Sequence, residues 1–269
     1  MDLLTALVLG IVQGVTEWLP ISSSAHLVIF QHILGVQENP VLFDAVVHLG
    51  TLFAVLLATR EFVWRIFKAS ILALEGNPLE NMKKDGDART GFGAVLATIP
   101  IVVVGLLLQS HIEAAFSSLW IVAVTLPITG IVLFSVKGRM GEKKEPTIRS
   151  AVLIGIAQIF ALIPGISRSG TTIVAGIHTG LERDSAARFS FLMAILAIAG
   201  AGTLELYKAI HGNADMDMLS LTAGFLSSLI VGYISVKALL KIIVTEKFHY
   251  FAYYCWVVGA ALIIYLLAA

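Results

Sequence analysis

Two short polar stretches interrupt an otherwise apolar sequence. The first is LPISSSAHLV (residues 19–28), and the second, in the other half of the chain, is IPGISRSGTTIV (residues 163–174). Each contains a proline, then a cluster of hydroxyl side chains, then an apolar run. Both stretches break an apolar segment in its middle, and they place hydroxyls, an imidazole and a guanidinium where hydrocarbon side chains are expected.

The composition is that of a polytopic membrane protein. Of the 269 residues, 58% are hydrophobic and 13% are charged, whereas soluble domains carry about 25% charged residues. The mean hydropathy is +0.90.

The N-terminus, MDLLTALVLG, has no basic region before its apolar run, so no secretory signal is predicted. The formal net charge of zero gives no basis for a nucleic-acid partner.

Six apolar segments are long enough to cross a membrane as helices, which takes about 20 residues each. Two further apolar regions, 2–34 and 150–180, are broken by proline and serines into halves that are too short or too interrupted to cross. Irregular backbone at membrane depth is tolerated only inside protein or beside water. The sequence therefore predicts an all-α polytopic membrane protein with two re-entrant helix hairpins and six transmembrane helices, at about 41–60, 91–109, 118–137, 186–210, 218–241 and 249–268.

The positions of the basic residues predict the orientation of these spans. If both hairpins return to the side that they enter from, six crossings place four loops opposite the N-terminus. These loops and the adjoining helix ends hold all Lys and Arg residues except Lys208 and Arg168. Because Lys and Arg favour the cytoplasmic side, we expect both termini outside. The four loops expected in the cytoplasm are 61–90, 138–149, 181–185 and 242–248.

The same arrangement predicts an inverted repeat within a single integral membrane domain, 1–269. Residues 1–137 and 150–269 each contain a hairpin followed by three spans. The hairpin 2–34 enters from outside and the hairpin 150–180 enters from the cytoplasm, so their broken tips can meet near the middle of the membrane. Inverted repeats with broken helices are typical of transporters.

The first tip combines an acid, an imidazole and several hydroxyls. Gln13 and Glu17 are four residues apart and therefore share a helix face. Pro20 is expected to end that half-helix, and serines at the start of the next one can cap it while other backbone N–H groups stay free for an anion. Buried acids in membranes are costly and usually functional. The candidate residues of this tip are Gln13, Glu17, Ser22, Ser23, Ser24 and His26.

The second tip adds a guanidinium, since Pro164 and Gly165 make the break and Arg168 follows. The planar fork of arginine suits phosphate. Phosphate or pyrophosphate is therefore the natural ligand of the two tips, although each hydroxyl could instead satisfy backbone groups or join helices. Asp44 and His48 could line the entry to the site or simply face the outer interface. The candidate residues of the second tip are Ser167, Arg168, Ser169, Gly170 and Thr171.

At these two stretches the sequence resembles the bacterial undecaprenyl pyrophosphate phosphatases of the bacitracin-resistance type. QGVTEWLPISSSAH (residues 13–26) is similar to the (E/Q)xxxE motif of that family with its following PxSS, and PGISRSGTTI (residues 164–173) is similar to its PGxSRSG(A/T)T signature. RFSFLMA (residues 188–194) matches a further stretch of the family. The resemblance covers essentially the whole chain.

The resemblance implies an enzyme that removes one phosphate from undecaprenyl pyrophosphate, returns the carrier lipid of cell-wall synthesis and confers bacitracin resistance. It further implies a bacterial plasma (inner) membrane location, a site that opens to the outer face, a homodimer, and a divalent cation, Mg or Ca, with Glu17 as a ligand. By position, Glu17 matches the catalytic acid, His26 the family's histidine and Arg168 the phosphate-binding arginine. The hydroxyl runs of the two motifs match Ser22, Ser23 and Ser24, and Ser167, Ser169 and Thr171.

Gln13 departs from the many members that have a glutamate at this position. An amide is neither a base nor a strong metal ligand, so roles that need two carboxylates are not expected here. Glu17 is then a general base toward water or a serine, or a cation ligand. His26 is expected to activate a nucleophile or to protonate the leaving phosphate. Direct attack by water and a covalent route through Ser23 both remain open.

The alternative function is a lipid-phosphate flippase or an anion transporter on the same inverted-repeat fold. The products distinguish the two classes, because only an enzyme frees inorganic phosphate.

Overall fold

The computed structural model describes residues 1–36, 41–211 and 217–268. Across these residues, the only β structure is one isolated bridge between Lys143 and Leu181, which confirms the all-α prediction. Two short 3-10 helices lie at Phe160–Leu162 and Glu246–His249. The α-helices, in chain order, are α1 (Leu3–Thr16), α2 (Ser23–Ile33), α3 (Val41–Ala58), α4 (Arg60–Leu72), α5 (Pro78–Lys84), α6 (Gly86–Leu107), α7 (Gln109–Phe116), α8 (Leu119–Phe134), α9 (Ile148–Ile159), α10 (Arg168–His178), α11 (Arg183–His211), α12 (Met218–Ile243) and α13 (Tyr250–Ala268).

The described residues contain five helices that are long and apolar enough to cross a membrane, which makes this a multi-pass membrane protein. They are α3, α6, most of α11, α12, and α13 with the last part of the preceding 3-10 helix, and each overlaps a predicted span. The remaining predicted span, 118–137, contains α8, which has only 16 residues. The pair α7 and α8 qualifies only together and is bent by 95° between them, so the structure has five spans, or six if this pair counts as one.

The predicted loop 61–90 is largely helical. It contains the helices α4 and α5, and α6 begins at Gly86, before the predicted start of its span. Capping explains this early start, because the Asp85 side chain accepts hydrogen bonds from the backbone N–H of Asp87 and of Ala88.

Glycines let the first hairpin lie close to the second half of the chain. A Cβ atom on Gly14 of α1 would lie 2.8 Å from Val231 Cβ and 2.9 Å from Gly232 N of α12. Small residues allow this close approach of helices in membranes. The helix α2 then turns back along α1.

The second hairpin lies in the same way against the first half of the chain. A Cβ atom on Gly155 of α9 would lie 2.5 Å from Ala97 O of α6. The helix α10 returns along α9 and also packs on α11. Each hairpin therefore packs on a long helix from the other half of the sequence.

The RFSFLMA stretch forms the core beside the first tip. Phe189, Phe191 and Met193 are buried, and the Phe191 ring meets the buried Trp18 ring edge to face, with the centroids 5.1 Å apart. This contact fixes Trp18, which directly follows Glu17 in the sequence.

Polar contacts gather the four predicted cytoplasmic loops at one end of the helix bundle. The buried Arg183 donates hydrogen bonds to the backbone oxygen of Arg139 at 3.0 Å and of Thr245 at 2.6 Å. Arg89 forms an ion pair with Glu145. These contacts connect the loops 61–90, 138–149, 181–185 and 242–248.

Candidate active site

The first hairpin breaks between α1 and α2, over residues 17–22. Thr16 is the last residue of α1, and Ser22 is the N-cap of α2, where its Oγ accepts a hydrogen bond from Ala25 N at 3.3 Å. Ser22 has φ +68°, the only positive φ of a non-glycine residue among those that the structure describes. This sharp turn places Ser23 at the first position of α2.

The second hairpin breaks between α9 and α10. Gly165 adopts φ +95°, a conformation that glycine reaches without steric cost. Ser167 is the N-cap of α10, and its Oγ accepts a hydrogen bond from Gly170 N at 3.1 Å. The guanidinium-bearing Arg168 is therefore the first residue of its helix, as Ser23 is of α2.

The helix α8 holds the second tip in place through two threonines. Thr125 Oγ1 donates to Pro164 O at 2.6 Å. Thr129 Oγ1 donates to Gly165 O at 2.7 Å and accepts from Ser167 N at 3.1 Å. The backbone groups that the break releases are thus satisfied by side chains of a neighbouring helix.

The two tips meet. Arg168 Nη2 is hydrogen-bonded to Glu17 Oε1. Two weaker contacts join the same segments: Gly165 N lies 3.4 Å from Ser24 Oγ, and Ser169 Oγ lies 3.3 Å from Leu19 O. Residues from opposite halves of the chain therefore share one site.

Glu17 is at the centre of this site. Its side chain is only 3% exposed. Its Oε2 accepts a hydrogen bond from Ser23 Oγ at 2.6 Å and one from Gln13 Nε2 at 2.9 Å. With Arg168 on Oε1, these donors stabilise the carboxylate form, since each of them favours negative charge.

The other predicted site residues surround this group with different contacts. Ser22 Oγ and Ser24 Oγ lie 3.0 Å apart, and Ser167 Oγ and Ser169 Oγ lie 3.3 Å apart. Gly170 is buried and contributes its N–H to the cap of α10. Thr171, which is half-buried, donates its backbone N–H to Ser167 O at 2.9 Å.

Among the described residues, His26 forms neither a hydrogen bond nor an ion pair with Glu17 or Ser23. Its Nδ1 lies 2.8 Å from Ser22 O, and its Nε2 lies 2.7 Å from the hydroxyl of Tyr254. The imidazole is therefore hydrogen-bonded to the turn between the half-helices and to α13, and not to the carboxylate.

His48 is the histidine that reaches Glu17. Its Nε2 lies 3.5 Å from Glu17 Oε2, and its Nδ1 lies 2.6 Å from Asp44 O. The sequence leaves open whether Asp44 and His48 line the entry to the site or face the outer interface. For His48, the structure favours a role near the site. Asp44 Oδ1 accepts a hydrogen bond from Gln31 Nε2 at 2.8 Å.

Sequence reasoning missed Tyr254, Thr125 and Thr129. Tyr254 lies in an apolar run of α13 and carries no local signal, because only the fold brings it to His26. The two threonines are four residues apart and therefore share one face of α8. In the sequence, this spacing is the one feature that indicates a joint role for the two threonines.

The described residues do not by themselves form a ligand set for a divalent cation. They contain no group of three or more His, Cys, Asp or Glu side chains that could hold a metal ion. Both oxygen atoms of Glu17 already accept hydrogen bonds, from Arg168, Gln13 and Ser23. The cation that the family resemblance implies stays a prediction, and no step of the proposed reaction passes through it.

The arrangement suits chemistry on a phosphate group. A hydroxyl hydrogen-bonded to a carboxylate is the geometry of a nucleophile and its base. Arg168 has donors beyond the one that Glu17 occupies, since a guanidinium carries five N–H groups. The positive ends of α2 and α10 add to the attraction for an anion.

Comparison with known proteins identifies the family of this chain. The family model described as "Bacitracin resistance protein BacA" matches residues 6–261. A protein named undecaprenyl-diphosphatase from Desulforapulum autotrophicum is 43% identical over 98% of this chain and 98% of its own length. Proteins of the same name from Methanobrevibacter smithii and Korarchaeum cryptofilum are each 41% identical, over 96% and 98% of this chain and 96% and 99% of their own lengths. The chain therefore belongs to the bacitracin resistance protein BacA family.

Proposed function

We propose that this protein is an undecaprenyl-diphosphatase, a phosphoanhydride hydrolase that converts undecaprenyl pyrophosphate to undecaprenyl phosphate and inorganic phosphate. The relatives reported above carry this name. The observation that carries the proposal is the junction of the two tips, where Glu17 accepts hydrogen bonds from both Ser23 and Arg168. Recycling of the carrier lipid supports cell-wall synthesis, and an ample supply of monophosphate confers resistance to bacitracin.

Arg168 is the main phosphate-binding group in this proposal. Hydrolysis of a phosphoanhydride depends mostly on positioning and on stabilisation of charge. Arg168 and the first N–H groups of α2 and α10 hold the terminal phosphoryl group and its developing charge. Gln13, Ser22, Ser24, Ser167, Ser169, Gly170 and Thr171 complete the binding site as proposed from the sequence.

Glu17 is the proposed general base, with two possible nucleophiles. In one route Glu17 takes the proton of Ser23, whose Oγ attacks the terminal phosphorus. The bond from this phosphorus to the bridging oxygen breaks, undecaprenyl phosphate leaves, and water then hydrolyses the phosphoserine. In the other route Glu17 takes a proton from water, which attacks the phosphorus directly. The 2.6 Å contact between Ser23 and Glu17 supports the first route.

We also propose the membrane arrangement that the charges predict, with an inverted repeat, six spans, two re-entrant hairpins and both termini outside. The reciprocal packing of α1 on α12 and of α9 on α6 supports the repeat. The gathering of the basic loops at one end supports the orientation. In this arrangement the protein lies in a bacterial plasma membrane and the site opens to the outer face, where the lipid headgroup enters. A homodimer stays a prediction from the family resemblance.

Measuring both product and transport tests the function against its rival. We expect the purified protein in detergent to free inorganic phosphate from undecaprenyl pyrophosphate. In lipid vesicles, a protein that moves the lipid between leaflets but frees no phosphate would be a flippase and would overturn the proposal.

A further inference from the structure

We infer that Tyr254 is a positioning residue of the phosphatase reaction, and that it acts through His26 on the turn that presents Ser23 to Glu17. The inference deepens the proposed function and rests on it. Tyr254 lies in α13, in the last part of the chain and outside both sequence motifs. Its hydroxyl lies 2.7 Å from His26 Nε2.

The contacts of His26 fix which ring nitrogen carries the proton. Nδ1 lies 2.8 Å from the carbonyl oxygen of Ser22, and a carbonyl only accepts hydrogen bonds. Nδ1 therefore carries hydrogen. In the neutral imidazole Nε2 is then an acceptor, and the Tyr254 hydroxyl is the donor that satisfies it. The two rings also stack, with centroids 5.6 Å apart and an angle of 13° between their planes.

The carbonyl that His26 binds belongs to the strained residue of the turn. Ser22 has φ +68°, a region that L-residues with a side chain rarely adopt. Such a conformation persists only where the surroundings hold it. The imidazole of His26 binds the Ser22 carbonyl oxygen, and the backbone N–H of His26 donates to the same oxygen at 3.3 Å.

The turn at Ser22 decides where Ser23 points. Ser23 follows directly, and its Oγ lies 2.6 Å from Glu17 Oε2. If Nε2 of His26 loses its donor, the ring can shift its proton from Nδ1 to Nε2, and the bond to Ser22 is lost. Tyr254 prevents this exchange, so it keeps the turn and the serine in place through His26.

The substitution Tyr254→Phe removes only the hydroxyl, and Tyr253→Phe is the matched control. The two tyrosines are neighbours on α13 with similar exposure, 42% and 43%. The Tyr253 ring packs on Phe134 and Trp256, contacts that phenylalanine keeps. We expect Tyr254→Phe to lower kcat about tenfold, a size appropriate to one lost hydrogen bond, with KM within about twofold of the unchanged protein. Tyr253→Phe should leave both constants unchanged.

A spectroscopic measurement on the full chain separates this role from a general loss of stability. In ¹⁵N-histidine NMR of the detergent-solubilised protein, with the His26 signals identified by their loss in His26→Gln, the unchanged protein should give the Nδ1–H tautomer. Tyr254→Phe should shift His26 toward the Nε2–H tautomer, and Tyr253→Phe should not.

The inference is overturned if Tyr254→Phe matches the control in kcat, whatever its spectrum, or if kcat falls while the tautomer is unchanged. If the unchanged protein frees no phosphate, the proposed function fails instead, and the NMR comparison still tests the link between Tyr254 and His26.

Discussion

Glu17 depends on both halves of the sequence for its hydrogen-bond donors. Gln13 and Ser23 come from its own hairpin, whereas Arg168 comes from the other one. A buried carboxylate is costly unless it is paired and hydrogen-bonded. The amide at Gln13 is a suitable neighbour because it donates a hydrogen bond to Glu17, where a second carboxylate would repel it.

We expect Ser23→Ala to lower phosphate release at least about 100-fold, because it removes the hydroxyl that Glu17 is placed to deprotonate. If the serine is the nucleophile, radiolabelled terminal phosphate should remain on the unchanged protein after rapid acid quenching. Ser235→Ala, which removes another serine hydroxyl bonded within its own helix, should have no effect. Normal activity of Ser23→Ala would exclude the covalent route.

At the level of single residues, the sequence identifies functional side chains where a charged residue lies in an apolar segment, because such a charge is costly in a membrane. Glu17 and Arg168 are of this kind, and the structure brings them together. His48 and Tyr254 are different, since a histidine or tyrosine in an apolar segment has many ordinary explanations. Their roles depend on contacts between distant segments, which no local pattern contains.

At the element scale, the hairpins are positioned by side chains of neighbouring helices. The helix α8 binds the backbone of the second break through Thr125 and Thr129. The helix α1 packs closely on α12 because the residue at the contact, Gly232, has no side chain. The placement of the reacting groups therefore depends on helices that carry none of them.

We expect Thr129→Val to lower kcat/KM by about 10- to 100-fold, because the hydrogen bonds to Gly165 O and from Ser167 N are both lost and each carries roughly 1 kcal/mol. Thr203→Val is the matched control, since Thr203 Oγ1 bonds only the preceding turn of its own helix at 2.7 Å. Phosphate-release kinetics of both purified variants give the comparison. Equal kinetics would show that α8 does not position the second tip.

We expect Gly14→Ala to lower the melting temperature in detergent, because its methyl group would overlap Val231 and Gly232 and overpacking costs about 1–3 kcal/mol. The matched change Gly200→Ala should have no such cost, since a Cβ there meets no other atom within 4 Å. Thermal unfolding monitored by tryptophan fluorescence measures both. A melting temperature that rises equally in the two variants would contradict the close packing of α1 on α12.

The sequence predicts long elements better than their ends and bends. Hydropathy identifies five long helices, because each carries a long run of apolar residues. They are α3, α6, α11, α12 and α13. Hydropathy does not resolve the 95° bend between α7 and α8, which comes from local backbone geometry. Hydropathy also assigns α4 and α5 to a loop, because charged residues interrupt the apolar residues of both helices.

At the scale of the whole molecule, the loops that hold most of the basic residues are linked to one another, and the two hairpins pack reciprocally on the opposite halves. Arg183 and the Arg89–Glu145 pair link the basic loops to one another. Positive charge near the ends of spans favours the cytoplasmic side. The proposed orientation and the meeting of the tips are consistent with the same topology.

Cysteine labelling in intact cells tests this orientation. In a Cys255→Ser background, which removes the one natural cysteine, we expect Glu113→Cys in α7 to react with a membrane-impermeant maleimide from outside. Lys83→Cys in α5 should react only after the cells are permeabilised. The reverse pattern would place both termini in the cytoplasm.

Phosphate release by purified single variants tests whether the two tips form one phosphatase site. Glu17→Gln and Arg168→Ala change one tip each, and Arg65→Ala, which removes an arginine paired with Asp87 at 2.9 Å, is the control. We predict that each tip variant loses at least about 100-fold in kcat/KM, as expected when a charge-stabilising group is removed, while the control retains full activity. Full activity in either tip variant, with the protein folded, would contradict the claim.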